Sequence, residues 1–284
     1  MISVIIPAHN EANLIAETLQ VLLPAAQCGI LELVVVCNGC TDDTAGVVRS
    51  FGTKIKCIET SVASKTNALN LGDEATSVFP RVYLDADIVL SIESVMALAE
   101  ELSKGHCLAA SSTMRMDFRG SSWFVKSFYY IWQQLPYVKE GMIGTGVYAL
   151  SEEGRGRFDK FPDIIADDGF IRAIFKKDER VAVQQSHSDV RSPAKLSDLI
   201  KIKTRSRLGR YELAEKFPEL MNREEKKYGS AFLVLLRTPS NWVRLPIYIY
   251  VNMVSRIRAK YQRKLYGFSC WERDMSSREK NIDK

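Results

Sequence analysis

The 284-residue chain predicts an α/β protein: a mixed, mostly parallel sheet flanked by helices, with a helical C-terminal appendage. Three observations carry that expectation. Short runs rich in β-branched residues recur at 2–6, 31–36, 55–59 and 81–84, and runs of that length bounded by turn residues are buried strands. Segments with helical spacing lie between them, and strands alternating with helices build a parallel sheet covered on both faces. From 231 the chain turns apolar, then apolar and basic together. The expected division is an α/β domain over 1–220 and a helical appendage over 221–284.

In chain order, ISVII at 2–6 is closed by Pro7, and 11–23 carries helical spacing through Ala12, Ile15, Leu19 and Leu22 or Leu23. LELVVV at 31–36 is the second strand. Thr41-Asp42-Asp43-Thr44 then supplies capping residues for the helical pattern Ala45, Val47, Val48 and Phe51. Residues 55–59 form a third strand, 64–76 a helix, 81–84 a fourth strand and 91–103 another helix. Beyond 105 the pattern loosens. An aromatic-rich stretch at 122–137 precedes Gly141, Gly144 and Gly146 and a strand-like VYAL. Asp167-Asp168-Gly169 opens a helical run within 164–176, 180–190 is a strand plus loop, and 195–217 is basic and helix-like. There are no internal repeats and no low-complexity linker.

A hydrophobic content of 46% excludes a disordered chain. Lys+Arg exceeds Asp+Glu by 39 to 34, an excess too modest to argue for nucleic acid. The start, MISVIIPAHNEA, has neither a basic leader nor a long apolar core. No stretch reaches the ~18–20 apolar residues that span a bilayer. A cytoplasmic protein is expected, with Cys28, Cys37, Cys40, Cys57, Cys107 and Cys270 reduced.

The chemistry is concentrated at the strand ends. VYLDADIVL at 82–90 places Asp85-Ala86-Asp87 where an apolar run ends. Two carboxylates one residue apart can share a divalent cation, which in turn binds a diphosphate. Ligands collect at the carboxyl ends of the strands in such sheets. Pro7–Glu11, Asn38–Asp43 and Asp85–Asp87 are all expected at that edge.

VIIPAHNE, VVCNGCTDDT, Lys65 within SKTNALN, LDAD, EGMIGTG and Asp167-Asp168 stand in the order found in family 2 glycosyltransferases of the GT-A fold. Over roughly 1–210 the chain resembles that family. The resemblance implies sugar transfer from a nucleotide-diphosphate donor to a hydroxyl acceptor, with Mg²⁺ or Mn²⁺ and inversion at the anomeric carbon. It assigns Pro7, Ala8, Asn10 and Glu11, with His9 between them, to a rim that binds the donor's nucleoside. Asn38 and Asp42 sit on the next loop; relatives commonly carry Asp at the position of Asn38 and Ser at that of Cys40, which leaves the base open. Lys65 is either a counter-charge to the diphosphate or a solvated helix residue. Asp85 and Asp87 are the expected metal ligands. His187 lies where some relatives place another metal or phosphate ligand, and a structural histidine is the competing reading.

Inversion by direct displacement needs a base for the acceptor hydroxyl. The family's acidic pair matches Asp167-Asp168, with Asp168 the first choice as base, Asp167 the second, and helix capping the competing role. Gly144 and Gly146 would let the backbone pass close to the donor sugar, or simply make a turn. Arg207-Leu208-Gly209-Arg210-Tyr211 resembles the family's (Gln/Arg)-x-x-Arg-Trp element, with Tyr in place of Trp. That match puts Arg207 and Arg210, with Arg205, near the diphosphate and acceptor as a phosphate clamp; a solvated basic helix is the alternative. The long multi-span regions of processive synthases have no counterpart, so single-sugar transfer in glycan or glycolipid synthesis is expected.

The 122–137 aromatics are expected to pack rather than to stack on a sugar. In the tail, Ile247, Tyr250, Val251, Val254, Ile257, Tyr261 and Leu265 share one helical face, with Arg256, Arg258, Lys260, Arg263 and Lys264 around it. One reading is a helix in the membrane interface, aided by AFLVLL at 231–236, serving a lipid-linked acceptor. The other is a helix packed across the catalytic domain. Three rivals fit less of the chain. Cys37-Asn38-Gly39-Cys40 matches a thiol redox pattern but leaves the acidic motifs unexplained. Nucleotidyltransferases of related fold need a glycine- and arginine-rich phosphate loop after the first strand, which is missing. A non-catalytic nucleotide-sugar binder would not need Asp85, Asp87 and Asp168 together.

Overall fold

The computed structural model describes residues 1–142, 144–222, 235–236 and 238–268. They divide into two compact units between which the chain passes repeatedly. A sheet unit holds 1–115, 141–163 and 174–190; a helical unit holds 116–140, 164–173 and the chain from 191 on.

The sheet has eight strands: β1 Ile2–Ala8, β2 Leu31–Asn38, β3 Ile55–Thr60, β4 Arg81–Leu84, β5 Val89–Leu90, β6 Ala109–Asp117, β7 Val147–Leu150 and β8 Arg180–Arg191. Their order is β3-β2-β1-β4-β7-β6-β8-β5. β1 runs parallel to β2 and β4, and β2 parallel to β3. β7 is antiparallel to β4 and β6, and β5 antiparallel to β8. The sheet is therefore mixed, with its parallel core formed by the β-branched runs.

Both faces of that core are covered. Helix α3 (Lys65–Glu74) packs Ala68 on Val34 and Val36. Helices α1 (Ile15–Gln27), α2 (Thr44–Ser50) and α4 (Ile92–Ser103) bury Ile15, Leu19, Leu22, Val48, Val95 and Leu98 with Val4, Ile6, Leu33 and Val35 of the other face. Burial on both faces is why β2 is a continuous apolar run rather than an alternating one.

Two boundaries differ from expectation. Pro7 does not close the first strand but continues it, opposite Val36. The Ser3 N–H donates to the Pro80 carbonyl on the β4 side, and strand alternation turns the Pro7 nitrogen to that side too. The β4 ladder reaches only Ile5, so the N–H that proline lacks falls where no pairing is needed. Helix α1 likewise runs past the expected end and contains Pro24. Strands β5 and β6 were not expected. β6 buries Ser111 and Ser112, small hydroxyl residues that give no apolar run.

The helical unit contains α5 (Trp123–Trp132), α6 (Pro136–Lys139), most of α8 (Asp167–Ile174), α9 (Leu196–Lys216), α10 (Pro218–Asn222) and α11 (Leu245–Tyr266); the short α7 (Glu152–Arg155) belongs to the sheet unit. The aromatic stretch packs in part: Phe128, Tyr129 and Trp132 are buried, whereas Trp123, Phe124 and Tyr130 are exposed. α11 lies against α9 and α5. Its apolar residues occupy two faces, not one. Val251, Ser255 and Ala259 are buried, and Tyr248 stacks on Phe128 at 5.2 Å. Tyr250, Met253, Ile257, Tyr261 and Leu265 are exposed on the other side. Residues 231–234 of the apolar run and Cys270 lie outside the described residues. Among the described residues no helix is long and apolar enough to cross a membrane.

Candidate active site

The loops after β1 and β2 are stitched to each other. Asn10 is left-handed, at φ 55. Its Oδ1 accepts from the Thr41 N–H at 2.7 Å, the Thr41 hydroxyl at 3.3 Å and the Asp42 N–H at 3.4 Å. Asp42 accepts from the Ala12 N–H at 3.1 Å through Oδ2, and through Oδ1 from the Thr44 N–H at 3.1 Å and hydroxyl at 2.5 Å. The Thr44 hydroxyl accepts in turn from the Glu11 N–H at 2.9 Å. Asn38 Nδ2 donates to the Ala8 carbonyl at 2.9 Å, and the Asn38 carbonyl lies 2.5 Å from His9 Nδ1. Burial works to raise the Asp42 carboxyl, but hydrogen bonds from the Thr44 hydroxyl and the Ala12 and Thr44 N–H groups outweigh it and hold the pKa below the ordinary value.

This network brings together Ala8, Asn10, Glu11, Asn38 and Asp42, with Pro7 one residue back on β1. Ala8, Glu11 and Asn38 are buried, His9 and Asn10 half-buried, and Asp42 exposed. The side chains of Asn10, Asn38 and Asp42 hold the rim's own backbone. The rim's shape is thus set before any ligand arrives.

The Asp85-Ala86-Asp87 turn follows β4. The Asp85 N–H donates to the Gly146 carbonyl at 2.8 Å, and its carbonyl accepts from the Ile88 N–H at 3.1 Å. Asp85 Oδ1 lies 2.6 Å from Lys65 Nζ at the start of α3. Asp87 is exposed. Gly146 has φ 65, and a Cβ there would stand 2.4 Å from Ile88 Cγ1 and 3.4 Å from Asp85 Oδ2. Its glycine admits the acidic turn. Gly144 is exposed, at φ 70.

His187 is half-buried on β8, with Nδ1 2.7 Å from the Thr113 hydroxyl and its N–H donating to the Ser94 hydroxyl at 3.0 Å. Among the described residues no three His, Cys, Asp or Glu side chains form a metal-holding group. Asp85, Asp87 and His187 are therefore not a preformed three-ligand cluster. The two carboxylates alone suit a hard cation such as Mg²⁺ or Mn²⁺, which is commonly held by one or two carboxylates and completes its shell with substrate phosphates and water.

The acidic pair opens α8 in the helical unit. Asp167 is buried, while Asp168 is half-buried and accepts from the Gly169 N–H at 2.7 Å. Helix α9 fixes this segment. Glu212 accepts from the Ile165 N–H at 2.8 Å and is paired with Lys216 at 2.8 Å. A Cβ on Gly209 would meet Ala166 and Ile165 at 2.9 and 3.2 Å, and one on Gly169 would meet Leu213 at 2.9 Å. Arg207 is half-buried and donates to Asn252 at 3.1 Å; Arg210 is exposed.

A model of the glycosyl transferase family 2 matches residues 3–177. The chain belongs to that family. Among solved structures, this glycosyltransferase is similar to the mannosyltransferase PcManGT from Pyrobaculum calidifontis in complex with GDP-Man and Mn²⁺, with TM-score 0.62 and 18% identity over 93% of this chain and 75% of that one. It is also similar to glucosyl-3-phosphoglycerate synthase from Mycobacterium tuberculosis in complex with Mn²⁺, UDP and glucosyl-3-phosphoglycerate, with TM-score 0.55 and 22% identity over 76% of this chain and 79% of that one. These likenesses establish the GT-A fold. No curated protein matches the chain by sequence.

Two residues that hold the glycosyltransferase's candidate site had no sequence motif to mark them. Thr18 on α1 donates to the Ala86 and Ile88 carbonyls, each at 3.0 Å, and so pins the acidic turn from beneath. Its only signal is a hydroxyl on the apolar face of an amphipathic helix. Glu212 is the other, two residues after Arg210 and 3% exposed. The redox alternative finds no support at Cys37. Its thiol is buried within β2 and raised well above the ordinary value, first by burial and then by Cys57 and Cys40, the opposite of a reactive thiolate.

Proposed function

We propose that this family 2 glycosyltransferase moves one sugar from a nucleotide-diphosphate donor to a hydroxyl acceptor, with inversion and with Mg²⁺ or Mn²⁺. The observation that carries the reading is the Asp85-Ala86-Asp87 turn, braced by Gly146 and Thr18 and met by Lys65. Asp85 and Asp87 would hold the cation, which when bound offsets charge on the leaving diphosphate. Lys65 adds a second positive charge on the Asp85 side. Pro7, Ala8, Asn10, Glu11, Asn38 and Asp42 form the nucleoside rim, and Gly144 and Gly146 leave room for the donor sugar. His187 is the candidate third ligand: Thr113 engages Nδ1, as a partner does that orients a metal-binding imidazole. Solved neighbours crystallised with Mn²⁺ and GDP-Man or UDP support the metal and donor class.

Asp168 is the base. It takes the proton of the acceptor hydroxyl as that oxygen bonds to the anomeric carbon. The bond to the diphosphate breaks on the opposite side, and its electron pair leaves with the nucleoside diphosphate. Exposure favours Asp168, because Asp167 is 3% exposed. Arg207 and Arg210 serve the phosphate or acceptor region. The outward stripe Tyr250, Met253, Ile257, Tyr261 and Leu265, flanked by Arg256, Lys260, Arg263 and Lys264, supports docking on an anionic membrane face and a lipid-linked acceptor. Each basic residue near such a surface contributes about 1 kcal/mol.

Calorimetry tests the donor site. Wild type should bind GDP or UDP only with Mn²⁺, and Asp87→Ala should lose that dependence while melting like wild type. Unchanged Mn²⁺-dependent binding in the variant would remove Asp87 from the site. Co-sedimentation tests the location: the full-length chain should pellet with anionic vesicles more than with neutral ones, and failure to pellet would favour a soluble acceptor.

A further inference from the structure

Lys203 and Arg207 stand one turn apart on α9. The Lys203 ammonium faces three rings of α5, with Nζ 4.2 Å from the Trp132 centroid, 5.1 Å from Tyr129 and 5.2 Å from Phe128. Burial, followed by the charge of Arg207, pulls its pKa down to about 7; the negative ring faces work in the other direction. Arg207 is lowered first by burial and then by Arg256, with Arg210 adding to the effect and the Tyr211 and Tyr137 phenols opposing it. Among the described residues no carboxylate is one of the main groups acting on either residue.

That lack is local. Elsewhere in the helical unit Arg172 meets Glu140, Lys201 meets Asp198, Lys216 meets Glu212 and Arg263 meets Glu215. Cations withdrawn from water are normally paired. Here, among the described residues, Lys203 and Arg207 meet no carboxylate while Arg256 adds its charge to that of Arg207, and Asn252 orients the Arg207 guanidinium through one bond of 3.1 Å.

We propose that Lys203, Arg207 and Arg256 form a binding site for a phosphate group. A carboxylate is planar and is satisfied by one guanidinium. A phosphate presents three or more oxygens in a tetrahedron and carries up to two charges, which suits several cations arriving from two helices. The site rests on the proposed acceptor region and extends it to Lys203, which has no other assigned role, and to Arg256, which stands beside the outward stripe of α11, and names the chemistry they take. The phosphate is either carried on a lipid or free in solution.

Calorimetry with inorganic phosphate, on full-length enzyme in EDTA without nucleotide, keeps the donor site out of the measurement. Wild type should bind saturably. Arg207→Gln and Lys203→Met should each weaken binding at least ten-fold, while Arg263→Gln, whose guanidinium is paired with Glu215, should match wild type. Asp87→Ala should also match wild type, so that failure of the donor reading and failure of this site stay distinguishable. If Lys203→Met melts early, Arg256→Gln at an exposed position serves instead, with the same expected loss. The second arm compares vesicles of phosphatidylcholine containing phosphatidic acid or, at equal charge, phosphatidylserine. Preferential pelleting with phosphatidic acid that Arg207→Gln abolishes identifies a lipid-borne phosphate. Equal pelleting with phosphate binding intact identifies a soluble one. No saturable phosphate binding by wild type in either arm, or wild-type affinity in both cation variants, overturns the proposal.

Discussion

The proposed donor rim of the sheet unit and the α9 face of the helical unit are both polar, yet they are built in opposite ways. In the rim, Asn10, Asp42 and Thr44 satisfy one another and the two loops that carry them. On α9, Lys203 and Arg207 face rings, an amide and other cations, with no carboxylate of the described residues acting on them. The first arrangement is complete as it stands and gives shape. The second lacks a counter-charge among the described residues, and the proposed phosphate would supply it. A polar cluster's internal balance thus separates residues that build a site from residues that wait for its occupant.

Changes to groups that meet an occupant should cost function first, and changes to groups that only hold the backbone should cost stability first. The largest effect is expected for Asp168→Asn. A catalytic base contributes about 10²–10⁴-fold, so turnover should fall on that scale with donor affinity little changed. If Asp167→Asn instead lost activity and Asp168→Asn kept it, the base would move to Asp167.

Lys203→Met probes the uncompensated charge through pH. The folded pKa lies near 7, below the ordinary 10.5, with Phe128, Tyr129, Trp132 and Arg207 as the facing groups. Between those values the unfolded chain holds a proton that the folded chain lacks, so this group makes wild type more stable as pH rises from about 7 toward 10.5. Urea titrations should show that rise in wild type and its absence in Lys203→Met. An identical slope in both would mean that the ammonium keeps an ordinary pKa.

Glu212→Ala should come next. It leaves the Ile165 N–H and Lys216 without their acceptor, a loss of about 1–3 kcal/mol, read as a lower midpoint together with reduced turnover. Glu212→Gln keeps an acceptor for Ile165 and should restore most of the turnover. Gly146→Ala should be the smallest. A left-handed backbone disfavours a Cβ by roughly 1–2 kcal/mol, and the contact with Ile88 adds to it. A melting temperature equal to wild type would show that the acidic turn does not need the glycine.

The parts of the molecule legible in sequence share one property: their role is stated locally. Strands 81–84 and 147–150 fall where β-branched and aromatic runs place them, and the acidic turn follows directly. Strand β6 stayed hidden because buried Ser111 and Ser112 imitate a loop. Pro7 suggested a strand end because the reach of the β4 ladder is not a local property. Thr18 and Glu212 were invisible for the same reason. Each binds backbone far along the chain, at 68 and 47 residues' separation. In α11 the helical spacing was right, but one apolar face resolved into a packed stripe of small side chains and an exposed stripe of large ones.

The central claim is metal-dependent sugar transfer at the Asp85-Ala86-Asp87 turn. Its most direct test incubates the full-length enzyme with a panel of nucleotide-sugars, including GDP-Man and UDP-Glc, and follows nucleoside diphosphate release with Mn²⁺ and with EDTA. The account predicts release from at least one donor with Mn²⁺, loss of that release in EDTA, and its recovery when Mn²⁺ is restored. Release at the same rate in EDTA would contradict it.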